Sequence, residues 1–386
     1  MKIFLLIAIA WSFFKILAGE PPAPQREFDA VYMDNAAAPI ADAIAAKKIP
    51  GAVLLCGRHD KILFEKAYGN RSVNPEAVPM TTDTIFDMAS VTKTVACATS
   101  IMILVDRGKL KVSDLVSKYI PEFTQNGKES ITIEQLLLHR SGLIPDNPIS
   151  DYRGTRDEML ANVYKLKPDH EPNTHFAYSD VNYIVLGELV RIVSGKPLNE
   201  FAKTEIFEPL GMKDTAYLPP ESWKPRIAVT EKRDGKWTPG DVHDPRSFAL
   251  GKVAGHAGVF STAEDMARFC RMILNGGELD GKRILSKATL DEMTKPRAMP
   301  DKTNSRGYGF DIDTPYSPSA RGKRFAVGTT FGHTGFTGTM FWIDPEHDCF
   351  VVFLTNRINL GADGNDLAVR GKVSTIAAEA FLGPKQ

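Results

Sequence analysis

The chain predicts an α/β (α+β) fold: one antiparallel sheet assembled from both chain ends, helices on its faces, and a mostly helical domain inserted between. Three observations lead to this. Ala52 to Cys56 and Ile62 to Tyr68 are two β-rich runs across a polar turn, which reads as an antiparallel hairpin. Near the other end, TGTMFWIDPEHDCFVVFLTN repeats that pattern around DPEHD. Between the two hairpins the apolar periodicity is helical and the connections are rich in proline. The expected division is a leader at 1–19, a sheet domain from 20–95 with 305–386, and a helical domain at 96–304.

The leader, MKIFLLIAIAWSFFKILAGE, carries basic Lys2, an apolar stretch from Ile3 to Phe14, and small Ala18 and Gly19. This is the pattern of an export signal, so a periplasmic or secreted bacterial protein is expected. The competing reading is a membrane anchor, but Lys15 breaks the run well short of the roughly 20 residues a span needs. No cysteine follows the small residues to take a lipid, and no stable anchor is expected.

Asp29 to Lys48 is Ala-rich and predicts a helix, with Pro39 at its start or at a kink. Val91, Val95, Ala98, Met102 and Val105 have helical spacing, and Ile101, Ile103 and Leu104 make that helix apolar nearly all round. Thr132 and Gln135 have the form of a capping box. Asp180 is expected to cap a helix running to Val193, with Gly195 as its stop. Further helices are expected at about Ala263 to Leu274, capped by Ser261 or Thr262, and at Asp366 to Phe381.

Charge is balanced, with 47 basic and 47 acidic residues and no long run of one sign, which argues against a nucleic-acid partner. Cys56, Cys97, Cys270 and Cys349 are far apart and lack zinc or disulfide-scaffold spacing, so each is expected to pack as a small apolar residue. The eight histidines show no HExxH spacing. No metal and no cofactor is expected, and the sequence leaves the oligomeric state open.

The chemistry centres on MASVTKTVAC, residues 88–97, where Lys93 enters a long apolar run three residues after Ser90. A serine needs an adjacent base to become a nucleophile. Residues three apart share a helix face, so Ser90 and Lys93 can touch. A lysine desolvated by an apolar helix loses part of its preference for the charged form and could accept the proton. The spacing alone is weak, since Ser12 and Lys15 repeat it in the leader. Read singly, Tyr178 is a core tyrosine and His333 a strand-edge residue. His256 and His139 read as loop-fixing residues. Arg357, just after the last strand, could pair on the surface or bind an anionic substrate.

Ser90-Val91-Thr92-Lys93, Tyr178-Ser179-Asp180 and His333-Thr334-Gly335 together resemble the three motifs of the serine β-lactamase and penicillin-binding-protein superfamily, in order and separation. LLLHRSGL and AGHAGVFSTAEDMARF are similar to stretches of its class C-related branch, which includes esterases, low-activity penicillin-binding proteins and muramoyl amidases. The resemblance spans about Ala30 to Leu382. It implies that Ser90 forms an acyl-enzyme, that Lys93 and Tyr178 share the acid and base work, and that the Ser90 and Phe336 N–H groups form the oxyanion hole. It further implies that Asp180, His333, Thr334 and Gly335 line the substrate channel, with Arg357 a further substrate-binding candidate.

Two departures bear on substrate. Asp180 stands where the family commonly has asparagine, and a carboxylate cannot donate a hydrogen bond to an acylamido carbonyl. His333 stands for lysine, which makes charge there conditional on pH. The expected activity is hydrolysis of a carboxylic ester or a cell-wall-derived amide or peptide. A D-Ala-D-Ala carboxypeptidase, a muramoyl amidase, a weak β-lactamase and a non-catalytic penicillin or peptide sensor are the alternatives. The expected partner is a small-molecule ester, β-lactam or muropeptide. An α/β-hydrolase is set aside because no Gly-x-Ser-x-Gly elbow occurs.

Overall fold

The computed structural model describes residues 26–384, so the expected leader lies outside the described residues. Its centre is a nine-stranded antiparallel sheet. In chain order the strands are β1 (Gly51–Gly57), β2 (Ile62–Ser72), β3 (Val78–Pro79), β4 (Arg297–Ala298), β5 (Ser305–Arg306), β6 (Asp311–Asp313), β7 (Phe331–Thr334), β8 (Met340–Asp344) and β9 (Cys349–Thr355). Their spatial order is β4-β5-β6-β7-β8-β9-β1-β2-β3. The two ends of the chain meet where β1 pairs with β9, from Ala52 opposite Thr355 to Gly57 opposite Phe350. Both hairpins expected from the sequence are present.

The central strands are apolar on both faces because both faces are covered. Val53 and Leu55 of β1, with Phe350, Val352 and Leu354 of β9, join the core shared with the helical region. Ala52, Leu54 and Cys56, with Val351 and Phe353, face the opposite core. The helical stretch near the N-terminus, whose main segment is α1 (Ala37–Ala45), packs with the C-terminal helix over that second face. All four cysteines are free and buried.

The helix predicted from Val91 appears as α2, a continuous run from Ala89–Asp106. Its winding is uneven: a 3₁₀ turn at Ala89–Val91, π-helical turns at Lys93–Ala98, then regular α-helix from Thr99. Lys93 and its five following residues are all buried. The helix expected after Tyr178 is α3 (Asp180–Ser194), ended by Gly195 at φ 73°. Its cap differs from expectation: the Ser179 hydroxyl accepts the Asn182 N–H at 3.3 Å, so Asp180 is the first helical residue and its carboxylate is available for another partner. The helix capped by Thr262 is α4 (Ala263–Leu274). Although α4 falls inside the 96–304 stretch expected to form the helical unit, it packs on β1 and β9, because its apolar stripe of Met266, Phe269, Cys270 and Ile273 matches the sheet's inner face. The C-terminal helix is α5 (Leu367–Leu382).

Candidate active site

Ser90 lies on a turn held from three sides. Ala89, just before it, adopts φ 45°, the left-handed region that an alanine occupies only under constraint. That constraint comes from Asp87, whose buried carboxylate accepts the Ala89 N–H at 2.9 Å and the His243 N–H at 2.7 Å. On the sheet side, the Thr337 hydroxyl donates to the Asp87 carbonyl at 2.7 Å and the Thr339 hydroxyl to the Met88 carbonyl at 3.0 Å. Gly335 permits this approach: a Cβ there would lie 2.2 Å from Thr339 Oγ1 and 2.6 Å from the Met88 carbonyl. The neighbouring Ala89, Val91, Gly335 and Gly338 N–H groups all have acceptors. Among the described residues, those of Ser90 and Phe336 take none.

Lys93 Nζ donates to Ser90 Oγ at 3.0 Å and to the His256 carbonyl at 3.3 Å, and lies 2.6 Å from Asp180 Oδ1. The expected loss of part of its preference for the charged form is not what these surroundings favour. Burial does push toward the neutral amine, but the Asp180 carboxylate and Tyr178 outweigh it and the net shift is upward. Asp180, expected in the substrate channel, lines the larger cavity beside Ser90 and also reaches Lys93. Its side chain keeps 20% exposure.

Tyr178 is half-buried beside Ser90 and Lys93. Burial raises its pKa more than those two neighbours lower it, so it rests as the neutral phenol. His139 sets its position. The His139 carbonyl accepts the Ala177 N–H at 3.1 Å, its Nδ1 accepts the Ser179 N–H at 2.9 Å, and its ring lies over the Tyr178 ring with centroids 4.5 Å apart.

His333 does not carry a pH-conditional charge as expected. It is buried, and burial together with Arg306 and Lys93 holds its pKa well below the ordinary value of 6.5. Its Nδ1 lies 2.8 Å from the Thr334 carbonyl, which can only accept, so the proton sits on Nδ1 and Nε2 faces Arg306 Nη2 at 3.5 Å. Positive charge in this part of the site belongs instead to Arg306, which is 1% exposed and paired with Asp311 at 3.3 Å. Arg357 is not exposed as expected. It stacks over Phe336, 4.4 Å from the ring centroid, and reaches Asp366 at 3.5 Å; Arg370 holds the same carboxylate at 3.0 Å. Among the described residues, Arg306 Nε and Arg370 Nη1 have no hydrogen-bond partner.

Ser90, Tyr178, Tyr316 and Phe336 stand between two cavities. One, of about 320 Å³, holds Arg306, His333, Arg357 and Arg370 together with the carboxylates of Asp311 and Asp366, which leaves an excess of one positive charge. The other, of about 760 Å³, holds Asp146, Asp180, Asp244 and His256. Asp180, Asp244 and His256 could place one metal-ligand atom each within 4.8 Å of one another. Asp180 is already engaged by Lys93, however, and Asp244 by His256 at 2.8 Å.

The motif reading missed Asp87, Arg306 and the bracketing of Tyr178 by His139. Their signal was faint: a carboxylate two residues before an alanine, and an arginine before GYGF. The buried histidines carry a prediction. His139 and His333 are neutral in the fold, with pKa values depressed below the 6.5 of the unfolded chain. Below that value the unfolded state binds protons the native state does not, so stability is lost as pH falls, by up to about 1.4 kcal/mol per pH unit for each histidine. Denaturant unfolding between about pH 7 and about pH 5.5 should show a shallower decline in a His139→Asn, His333→Asn variant than in the parent. Equal slopes would remove these residues as the cause.

Comparisons with known proteins bear on the family and the fold. A sequence model of the Beta-lactamase family matches residues 36–372. An "N-acetylmuramyl-L-alanine amidase" of Bacillus subtilis is 32% identical over 81% of this chain and 78% of its own length. A "Putative D-alanyl-D-alanine carboxypeptidase" of Salmonella typhi is 32% identical over 80% of this chain and 79% of its own. A solved penicillin-binding protein homologue from Caulobacter crescentus superposes with a TM-score of 0.73 at 22% identity, covering 93% of this chain and all of that one. With the family model spanning nearly all the described residues, the chain belongs to the β-lactamase family, a family of serine hydrolases.

Proposed function

We propose that the protein is an exported serine hydrolase that forms an acyl-enzyme on Ser90 and cleaves a cell-wall-derived amide or peptide, or a carboxylic ester. The observation that carries this reading is the 3.0 Å contact between Ser90 Oγ and Lys93 Nζ on a pinned turn, with Tyr178 beside both. Ser90 attacks the substrate carbonyl, and the oxyanion that forms is met by the Ser90 and Phe336 N–H groups. Each such donor is worth about 3 kcal/mol in the transition state. Tyr178 delivers a proton to the leaving group, and water then releases the acid.

The arginine-lined cavity favours a substrate with a carboxylate on one side of the scissile bond. A fragment of cell-wall peptide supplies that group and a simple neutral ester does not. The amide and peptide named for the two relatives point the same way.

Purified protein treated with a fluorophosphonate, or with a fluorescent penicillin, should carry the adduct on Ser90 by mass spectrometry, and Ser90→Ala should carry none. An adduct elsewhere, or equal labelling of the variant, would sink the proposal. Export is tested separately. Protein recovered from outside the cytoplasm should begin near residue 20, whereas a chain that stays in the cytoplasm with its leader intact would refute it.

A further inference from the structure

Ser90 must lose a proton before it can attack, and the resting site offers it no neutral amine. Lys93 is an ammonium with no lone pair, Tyr178 is a neutral phenol, and His333 shows a proton-bearing nitrogen to Thr334. Within the cluster of Ser90, Lys93 and Tyr178, the carboxylate at 2.6 Å from Lys93 Nζ is the one anionic acceptor among the described residues. Among the described residues, Asp180 Oδ1 has no hydrogen-bond partner beyond this ion pair.

We propose that Asp180 is the proton-holding partner of the Ser90–Lys93 pair: Lys93 passes a proton to the Asp180 carboxylate as it takes the Ser90 hydroxyl proton. The inference rests on Ser90 being the nucleophile. The step balances without an outside base. One N–H bond of Lys93 breaks and an O–H bond forms on Asp180. The freed lone pair takes the proton of Ser90 Oγ, and the serine oxygen bonds to the substrate carbonyl carbon. Lysine ends as it began, and the proton rests on Asp180 until Lys93 and Tyr178 return it to the departing heteroatom. Asp180 is a positioning residue in this scheme, since it acts through Lys93.

The geometry suits a reversible exchange. Asp180 opens α3, where a helix N-terminus interacts favourably with a carboxylate. It also lines the larger cavity. Several other groups face the pair. Tyr178 and Tyr183 lie 4.8 Å and 5.8 Å from Lys93 Nζ by ring centroid. Cys97 comes from Lys93's own helix, and His139 and His333 from the loop and sheet side. Asp146, Asp244 and His256 face Asp180 across the cavity, with Arg246 paired to Asp146 at 3.4 Å.

The test is the second-order rate of Ser90 phosphonylation by a fluorophosphonate from about pH 5 to about pH 10, which needs no knowledge of the natural substrate. The parent should show a plateau from neutral to alkaline pH. Asp180→Asn should be at least about a hundredfold slower near pH 7. It should then gain about tenfold per pH unit toward alkali, because only molecules whose lysine has already lost its proton can react. Asp180→Glu should regain the plateau and part of the rate. An Asp180→Asn profile with the parent's shape, at any height, overturns the proposal, as does a glutamate variant that behaves like the asparagine one. If the parent's adduct is not on Ser90, the acyl-serine reading fails instead, and mass spectrometry of the same samples separates the two failures.

Discussion

Lys93→Met should slow acylation of Ser90 by about 10³-fold while leaving a folded protein. Methionine preserves the length of the side chain in a site with no exposure, so packing along α2 is largely retained. What disappears is the group that bridges Ser90 Oγ, the His256 carbonyl and the Asp180 carboxylate. Removing one partner of a buried ion pair costs about 3–5 kcal/mol, and the solvent access left to Asp180 places this case at the low end, near about 3 kcal/mol. The variant should therefore melt several degrees lower and label very slowly. Stopped-flow phosphonylation and a thermal melt on one preparation read both effects. Labelling within a few-fold of the parent would show that Ser90 is activated without Lys93.

Gly335→Ala is the second large effect, and it acts on transition-state stabilisation rather than on the nucleophile. The new Cβ would sit 2.2 Å from Thr339 Oγ1 and 2.6 Å from the Met88 carbonyl, a clash with backbone that cannot be relieved by a side-chain rotation alone. The end of β7 must then move away from the Ser90 turn, taking the Phe336 N–H with it. Loss of one oxyanion donor lowers kcat by about 10²–10³, with KM changed much less. Steady-state kinetics with any turned-over substrate separates the two. A variant whose KM rises while kcat holds would mean that the β7 segment serves substrate binding and the oxyanion is stabilised elsewhere.

The sheet was legible in the sequence because both hairpins are local: Ala52 to Cys56 and Ile62 to Tyr68 announce themselves through composition and a turn. The Ser90–Lys93 contact was legible for the same reason, since three residues along a helix is a local distance. Charge states were not. Lys93 is held charged by Asp180, which arrives on α3, and His333 is held neutral by Arg306, which arrives on β5. Each partner is set by the fold and leaves no mark at the position it controls. Arg357 was misjudged similarly: a residue after a strand reads as exposed until Phe336 and Asp366 close over it. The Ser179 cap was missed because serine and aspartate are near-equal caps, and only the hydrogen bond to Asn182 decides between them.

The pairing of β1 with β9 also dictates when the site can come into being. Ala52 lies opposite Thr355, so the hydrogen bonds that close the sheet join segments separated by most of the chain. His333 reaches β1 only through β8 and β9, and the Ser90 turn is fastened to the loop after β7 by Thr337 and Thr339. A chain still being synthesised, with its last strands not yet emerged, carries Ser90 and Lys93 but has no oxyanion donor opposite them. Closure between such distant segments is slow compared with local helix formation. On the proposed reading, hydrolytic competence would be the last property the protein acquires, and if the chain is exported unfolded it would be inert until it arrived.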